Sequence, residues 1–244
     1  MHRPCTGLFR NKYLCSGIFI SMTPHNEIIE KTRVFVQRQL QGAEAGHDWF
    51  HIERVWKTAK HIAAQETSNL LVVELGALLH DIADAKFHNG DETLGPRIAR
   101  EFLEKEQVAA AVITAVENII RHISFKGSYT SENYKTIELD IVQDADRLDA
   151  LGAIGIARAF NYGGFKNRKL YDPAIKPAQY ATKEQYKSNE APTINHFYEK
   201  LFLLKDKMNT ATGKQMAEDR HRFMETFVEQ FYQEWNGVNG SAPY

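Results

Sequence analysis

Cysteine is nearly missing from this chain of 244 residues: Cys5 and Cys15, both near the start, are its whole complement. Neither a disulfide framework nor a cysteine-based zinc site can organise the rest, and a reducing, cytoplasmic setting is expected. Long apolar runs are lacking too. The stretch Leu14 to Ile20 is far too short to span a bilayer, so no membrane partner is expected. Excess charge of one sign is also absent: 30 basic against 31 acidic residues leave a formal net charge of −1, giving no global field for nucleic acid. Three enzyme signatures are missing as well, namely a Gly-x-Ser-x-Gly elbow, a phosphate loop ending Gly-Lys-Ser/Thr and a dinucleotide glycine fingerprint.

Residues 1 to 26 contain no acid but carry Arg3, Arg10 and Lys12. Two explanations stay open: a signal or transit segment, or an upstream start codon, since Met22 stands just before a good helix start. Residues 1–25 are therefore set apart as a tail, 26–236 are read as one domain, and 237–244 as a short C-terminal tail.

What is present is helical periodicity. Ile28, Ile29, Thr32, Val36 and Leu40 repeat at intervals of three and four, which predicts a first helix over about 26 to 41. A second carries His51, Val55, Ala59 and Ile62. A third, Leu70 to Asp81, is apolar nearly all round and is expected at the centre. Further helices are predicted over roughly 94–105, 107–122, 136–160, 193–208 and 213–235. No convincing strand set appears, so the fold class is all-α. The segment Asn161 to Pro192 is long for a loop and is expected as a functional flap, with Tyr162 and Phe165 as candidate stacking rings. Trp49, Trp56 and Trp235 are expected in the core.

The chemistry-bearing residues lie within that apolar pattern. His80 and Asp81 close the string Gly76-Ala-Leu-Leu-His-Asp-Ile-Ala-Asp84. An isolated pair of this kind is commonly an imidazole complementing a helix end beside a solvated carboxylate. Upstream, Gly46-His-Asp-Trp-Phe-His51 spaces His47 and His51 four apart, with Arg54 three beyond, and Asp48 reads as a helix-capping carboxylate. Downstream, Gln143-Asp-Ala-Asp-Arg-Leu-Asp149 sets three carboxylates amid apolar neighbours. Charged groups in a core need partners, and a divalent cation would supply one. Imidazoles with carboxylates suit manganese, iron, cobalt, nickel, zinc or magnesium better than copper.

In the order His51, His80-Asp81, Asp146 the chain resembles the H…HD…D signature of the HD-domain superfamily of phosphohydrolases. The strings Gly46-His-Asp-Trp, His80-Asp-Ile, Asp144-Ala-Asp-Arg-Leu-Asp-Ala-Leu-Gly-Ala-Ile-Gly and Glu234-Trp235 resemble the small stand-alone bacterial HD hydrolases, over most of residues 25–235. The resemblance implies a compact helical bundle with His51, His80, Asp81 and Asp146 as metal ligands. It also implies a hydrolase that cleaves a nucleoside triphosphate, or another small nucleotide, to monophosphate and pyrophosphate, with manganese the favoured ion.

Attack on phosphorus by water activated at the cation is expected, with Arg54, Arg147 or Lys86 neutralising phosphate oxygens, the two arginines favoured because each shares a helix segment with a ligand, whereas Lys86 and Lys126 depend on loop paths. His122 is the candidate general acid, with a second-metal ligand or a helix-end cap as alternatives. Asp81 is also counted catalytic. Asp149 is a candidate proton acceptor, and Asp84 and Asp149 are alternatively orienting groups. His47 either touches substrate or caps a helix. Self-association is left open. The rival functions are a nucleotidase or phosphodiesterase on the same site, a di-iron oxygenase recruiting His88 and His122, and a nucleotide sensor without turnover.

Overall fold

A computed structural model describes residues 23–42, 48–83, 91–123, 134–178 and 191–238. Among them the secondary structure is helical, with no strand: α1 (Pro24–Gln39), α2 (Trp49–Ala63), α3 (Leu70–Leu79), α4 (Leu94–Lys105), α5 (Ala110–His122), α6 (Ile137–Leu148), α7 (Gly152–Phe165), α8 (Asn195–Glu199) and α9 (Ala211–Trp235). The all-α expectation holds.

Each helix that positions the site starts where a polar side chain satisfies its free amide groups. Asp48 accepts from the His51 amide at the start of α2, Asn69 from Leu71 and Val72 at α3, and Thr136 from Leu139 at α6. Such caps are each worth about 1 kcal/mol. Helix α3 is buried from Val72 to Leu79. It packs against α1, α2, α5 and α6, as its all-round apolarity requires. Its one buried acid, Glu74, accepts from Trp56 Nε1 at 3.0 Å and His25 Nε2 at 2.5 Å and pairs with Lys60 at 3.0 Å, which ties α1 and α2 to the central helix.

Two helix predictions need correction. The single helix expected over 136–160 is broken into α6 and α7 at residues 149–151. Gly152 adopts φ +70°, a conformation that side chains with a Cβ rarely take, and a Cβ there would press on Arg220. Arg220 in turn donates to the carbonyl of Leu148, the last residue of α6. The helix expected over 193–208 is the short α8 followed by two 3₁₀ turns at Leu201–Leu203 and Lys205–Lys207. Buried Phe197, Leu201, Leu204 and Met208 keep a spacing of three and four through all these turns, so periodicity alone could not separate them.

The segment expected as a flap opens instead with the last turn of α7, which carries Tyr162 and Phe165 as helical residues, and its residues 179–190 lie outside the described residues. Trp49 and Trp56 pack against the core, but Trp235 is half exposed, its ring resting on Tyr171 and Phe231.

Candidate metal centre

Helices α2, α3 and α6 meet in pairs at the centre of the fold, and each delivers part of one constellation. His51 projects from the first turn of α2. His80 caps the C-terminal end of α3 with Asp81 in the turn that follows, and Asp146 lies near the end of α6. His51, His80 and Asp81 each offer a donor atom within 4.8 Å of the others. Asp146 Oδ1 lies 3.5 Å from His51 Nε2 and 3.9 Å from His80 Nε2. The four residues singled out in the sequence are thus gathered from a span of 96 positions, 51 to 146.

Both imidazoles have their tautomer set. His51 Nδ1 lies 2.7 Å from the Asp149 carboxylate, and His80 Nδ1 lies 2.8 Å from the carbonyl of Ala77. A carboxylate and a carbonyl only accept, so both Nδ1 atoms carry the proton and both Nε2 lone pairs face the carboxylates. This is how an imidazole is prepared to hold a cation. Around an ion with bonds of about 2.1 Å, neighbouring donor atoms stand about 3 to 3.5 Å apart. The two separations from Asp146, 3.5 and 3.9 Å, are close to that, and Asp81 lies within 4.8 Å of both imidazoles, so the donor set suits a divalent ion, with Asp146 meeting the three-residue cluster through its histidines. Both imidazoles are buried, whereas the Asp146 side chain is 40% exposed. The nitrogen donors form a rigid floor and the carboxylate opens to solvent, where water or substrate can reach a bound ion.

Asp149 is the anchor beneath this floor. Its carboxylate, 3% exposed, takes His51 Nδ1, Arg54 Nε at 2.6 Å, Arg54 Nη2 at 3.0 Å and Arg158 Nη1 at 2.6 Å. Burial pushes such a carboxyl up, but hydrogen bonds from His51 and Arg54 and the charge of Arg158 outweigh it and hold Asp149 well below the usual carboxylate range. Of the two roles open to Asp149, this favours orienting His51 over accepting a proton from water.

The remaining candidates are placed as follows. Arg54 is about one-third exposed and paired with Asp149. Arg147 Nη1 donates to the Lys207 carbonyl at 2.6 Å, so its guanidinium ties α6 to the segment before α9. His122 Nδ1 lies 2.8 Å from the Asn118 carbonyl, and its ring stacks on Tyr134 at 5.2 Å. Gln143 Nε2 donates to the His122 carbonyl at 2.9 Å, which holds the end of α5 one helical turn from Asp146. His122 does not join the ligand cluster found among the described residues. His47, Lys86, Lys126, Asp84 and His88 lie outside the described residues. Sequence reasoning missed Arg158; its spacing from the ligands gave no cue, because the break at 149–151 folds α7 back onto Asp149.

The third carboxylate of the 144–149 run is neither ligand nor anchor. Asp144, fully buried, accepts from the amides of Asn209 and Thr210 and from the Thr210 hydroxyl, at 2.8 to 3.1 Å, and so fixes the start of α9.

The geometry is that of a candidate metal centre, and comparison with known proteins places the chain in a family. The HD-domain family matches residues 49–151, the segment running from α2 to just past α6. Bacillus subtilis YpgQ is 37% identical over 217 residues, 87% of this chain and 96% of YpgQ. The chain therefore belongs to the HD-domain family and is a metal-dependent hydrolase. Among solved structures it is similar to an HD-superfamily hydrolase from Bacillus thuringiensis, at 47% identity and a TM-score of 0.71, covering 87% of this chain and 98% of that one. It is also similar to B. subtilis YpgQ in complex with ADP, at 33% identity and a TM-score of 0.70, covering 89% and 100%. No helix among the described residues is long and apolar enough to cross a membrane.

Proposed function

We propose that the protein hydrolyses a nucleoside triphosphate to the monophosphate and pyrophosphate, with manganese as the favoured ion, in the cytoplasm. The observation that carries this reading is the convergence of two Nε2 lone pairs, fixed by their Nδ1 partners, on the carboxylates of Asp81 and Asp146. The ADP complex of the relative YpgQ supports a nucleotide as the substrate class. The two buried guanidinium contacts at Asp149 support an anionic substrate, since Arg54 and Arg158 each keep part of their side chain exposed at the same carboxylate.

In this reading His51, His80, Asp81 and Asp146 hold the ion, which supplies Lewis acidity toward phosphate oxygen and water. Asp149 keeps His51 in its binding tautomer. Arg54 and Arg158 meet phosphate oxygens with their exposed edges, a task for which a forked guanidinium is suited, while Arg147 is occupied at Lys207. His122, whose Nδ1 proton is held by Asn118, carries on Nε2 the site from which a proton passes to the leaving oxygen. His47 and Lys86 are assigned to substrate contact from their sequence positions alone.

The test is a screen of metal-stripped protein, re-supplied with manganese, magnesium, cobalt, nickel or zinc, against nucleoside triphosphates with separate detection of phosphate and pyrophosphate. Pyrophosphate release is expected. Phosphate alone would move the assignment to a nucleotidase on the same ligands, and tight nucleotide binding with no product would make the protein a sensor.

A further inference from the structure

One face of α7 begins at the metal centre with Arg158 and continues along the helix beyond it. Arg158 and Tyr162 are four residues apart and Phe165 three further, so they share a helical face. At the inner end Arg158 Nη1 reaches the Asp149 carboxylate, which also holds His51. With about 1.5 Å of rise per residue, Tyr162 starts about 6 Å and Phe165 about 10 Å further along. These are one and two turns, the span that separates a nucleotide's phosphates from its base.

The outer end has the composition of a stacking platform. Tyr162 is 47% and Phe165 69% exposed, although the neighbouring Phe160 is packed among Phe197, Phe227 and Phe231. The two exposed rings are flanked by cations: Lys166 Nζ is 5.7 Å from the Tyr162 centroid and 5.2 Å from that of Phe165, and Arg168 Cζ is 5.7 Å from that of Tyr162. Single exposed apolar residues are ordinary. Two adjacent rings bracketed by positive charge, in line with an arginine at the metal centre, are complementary to an aromatic base joined to a polyanion.

We infer that Tyr162 is the base-stacking residue of the nucleotide subsite, with Phe165 extending the platform. This rests on the nucleotide reading above. Stacking accepts every base, so the subsite recognises the presence of a base more than its identity.

The experiment compares kcat/KM for ATP and for inorganic tripolyphosphate in the manganese-loaded wild type, Tyr162→Ala and Tyr162→Trp. Tyr162→Ala is expected to lower the ATP-to-tripolyphosphate ratio by roughly 5- to 150-fold, chiefly through KM, and Tyr162→Trp to preserve it. An unchanged ratio in Tyr162→Ala, or a Tyr162→Trp variant as impaired as Tyr162→Ala, overturns the inference. Absence of turnover of any nucleoside triphosphate by the wild type would instead count against the nucleotide reading. A second measurement then decides the subsite: AMP should quench the added indole fluorescence of Tyr162→Trp relative to wild type, and no quenching overturns it.

Discussion

The Asp149 carboxylate accepts a hydrogen bond from His51 Nδ1, with nitrogen and oxygen 2.7 Å apart, across 98 positions of sequence. That bond joins the break between α6 and α7 to the first turn of α2, and it turns His51 Nε2 toward the other ligands. Replacing Asp149 by Asn leaves Arg54 and Arg158 facing a neutral group and removes the charge that fixes the tautomer. Asp149→Asn is expected to weaken metal binding by about 10- to 100-fold. Competition with a chelator of known affinity measures it, and an unchanged affinity would remove Asp149 from the metal site.

Two carboxylates two residues apart should behave in opposite ways. Asp144 is fully buried and receives the donors that begin α9. Asp144→Ala strands those donors and should cost about 3 kcal/mol of stability or more. Asp146, 40% exposed, should change the stability of the metal-free protein little when replaced by Ala while abolishing hydrolysis. Urea unfolding beside an activity assay separates the pair, and equal effects on stability would refute the division of roles.

The carboxylate of Glu74 gives a pH dependence of definite sign. Burial raises its pKa, but the hydrogen bonds from His25 and Lys60 prevail and leave it below the ordinary value, which is about 4.3 for a free Glu. Its ionised form is favoured by folding, so its stabilisation is complete above that value and is lost as the pH falls below it. Glu74→Gln should destabilise by about 1–3 kcal/mol at neutral pH. The gap from wild type should narrow as the pH falls below the ordinary Glu value. Denaturant titrations at several pH values test this, and a gap that widens in acid would contradict it.

The break that creates the Asp149 corner depends on Gly152. A Cβ there is disfavoured by φ +70° and by the packed Arg220 side chain. Gly152→Ala should therefore cost about 1–3 kcal/mol. Thermal unfolding of metal-free protein gives the value, and a neutral or stabilising effect would mean that the corner does not constrain the helices.

The helices and the ligands were readable in the sequence to different depths. Amphipathic spacing located α1, α2, α4 and α5 because their buried faces obey a regular repeat, a nearly continuous apolar run located α3, and caps such as Asp48 and Asn69 stand at the starts of α2 and α3. The corner at 149–152 was not readable, since Ala150, Leu151 and Ile156 continue an apolar helical pattern and only Gly152 marks the turn. The candidate ligand positions were named from motif resemblance. Their chemical preparation was not legible that way, because it resides in contacts with no local signature: His51 with Asp149, His80 with the Ala77 carbonyl, and Arg158 folded back onto the same carboxylate. The 144–149 run shows the same limit. Sequence marks three acids, and only the fold sets one at the start of α9, one beside the two imidazoles and one behind a histidine.

Hydrolysis is proposed to depend on a divalent ion held by His51, His80, Asp81 and Asp146. The most direct test measures bound metal per chain and hydrolytic rate together, in wild type and Asp81→Ala, as manganese is titrated into stripped protein. Wild-type activity is expected to rise in step with occupancy, and Asp81→Ala to keep its helicity but neither fill at the same concentrations nor turn over. Full activity in the stripped protein, or an Asp81→Ala variant that binds and hydrolyses as wild type does, would contradict this dependence.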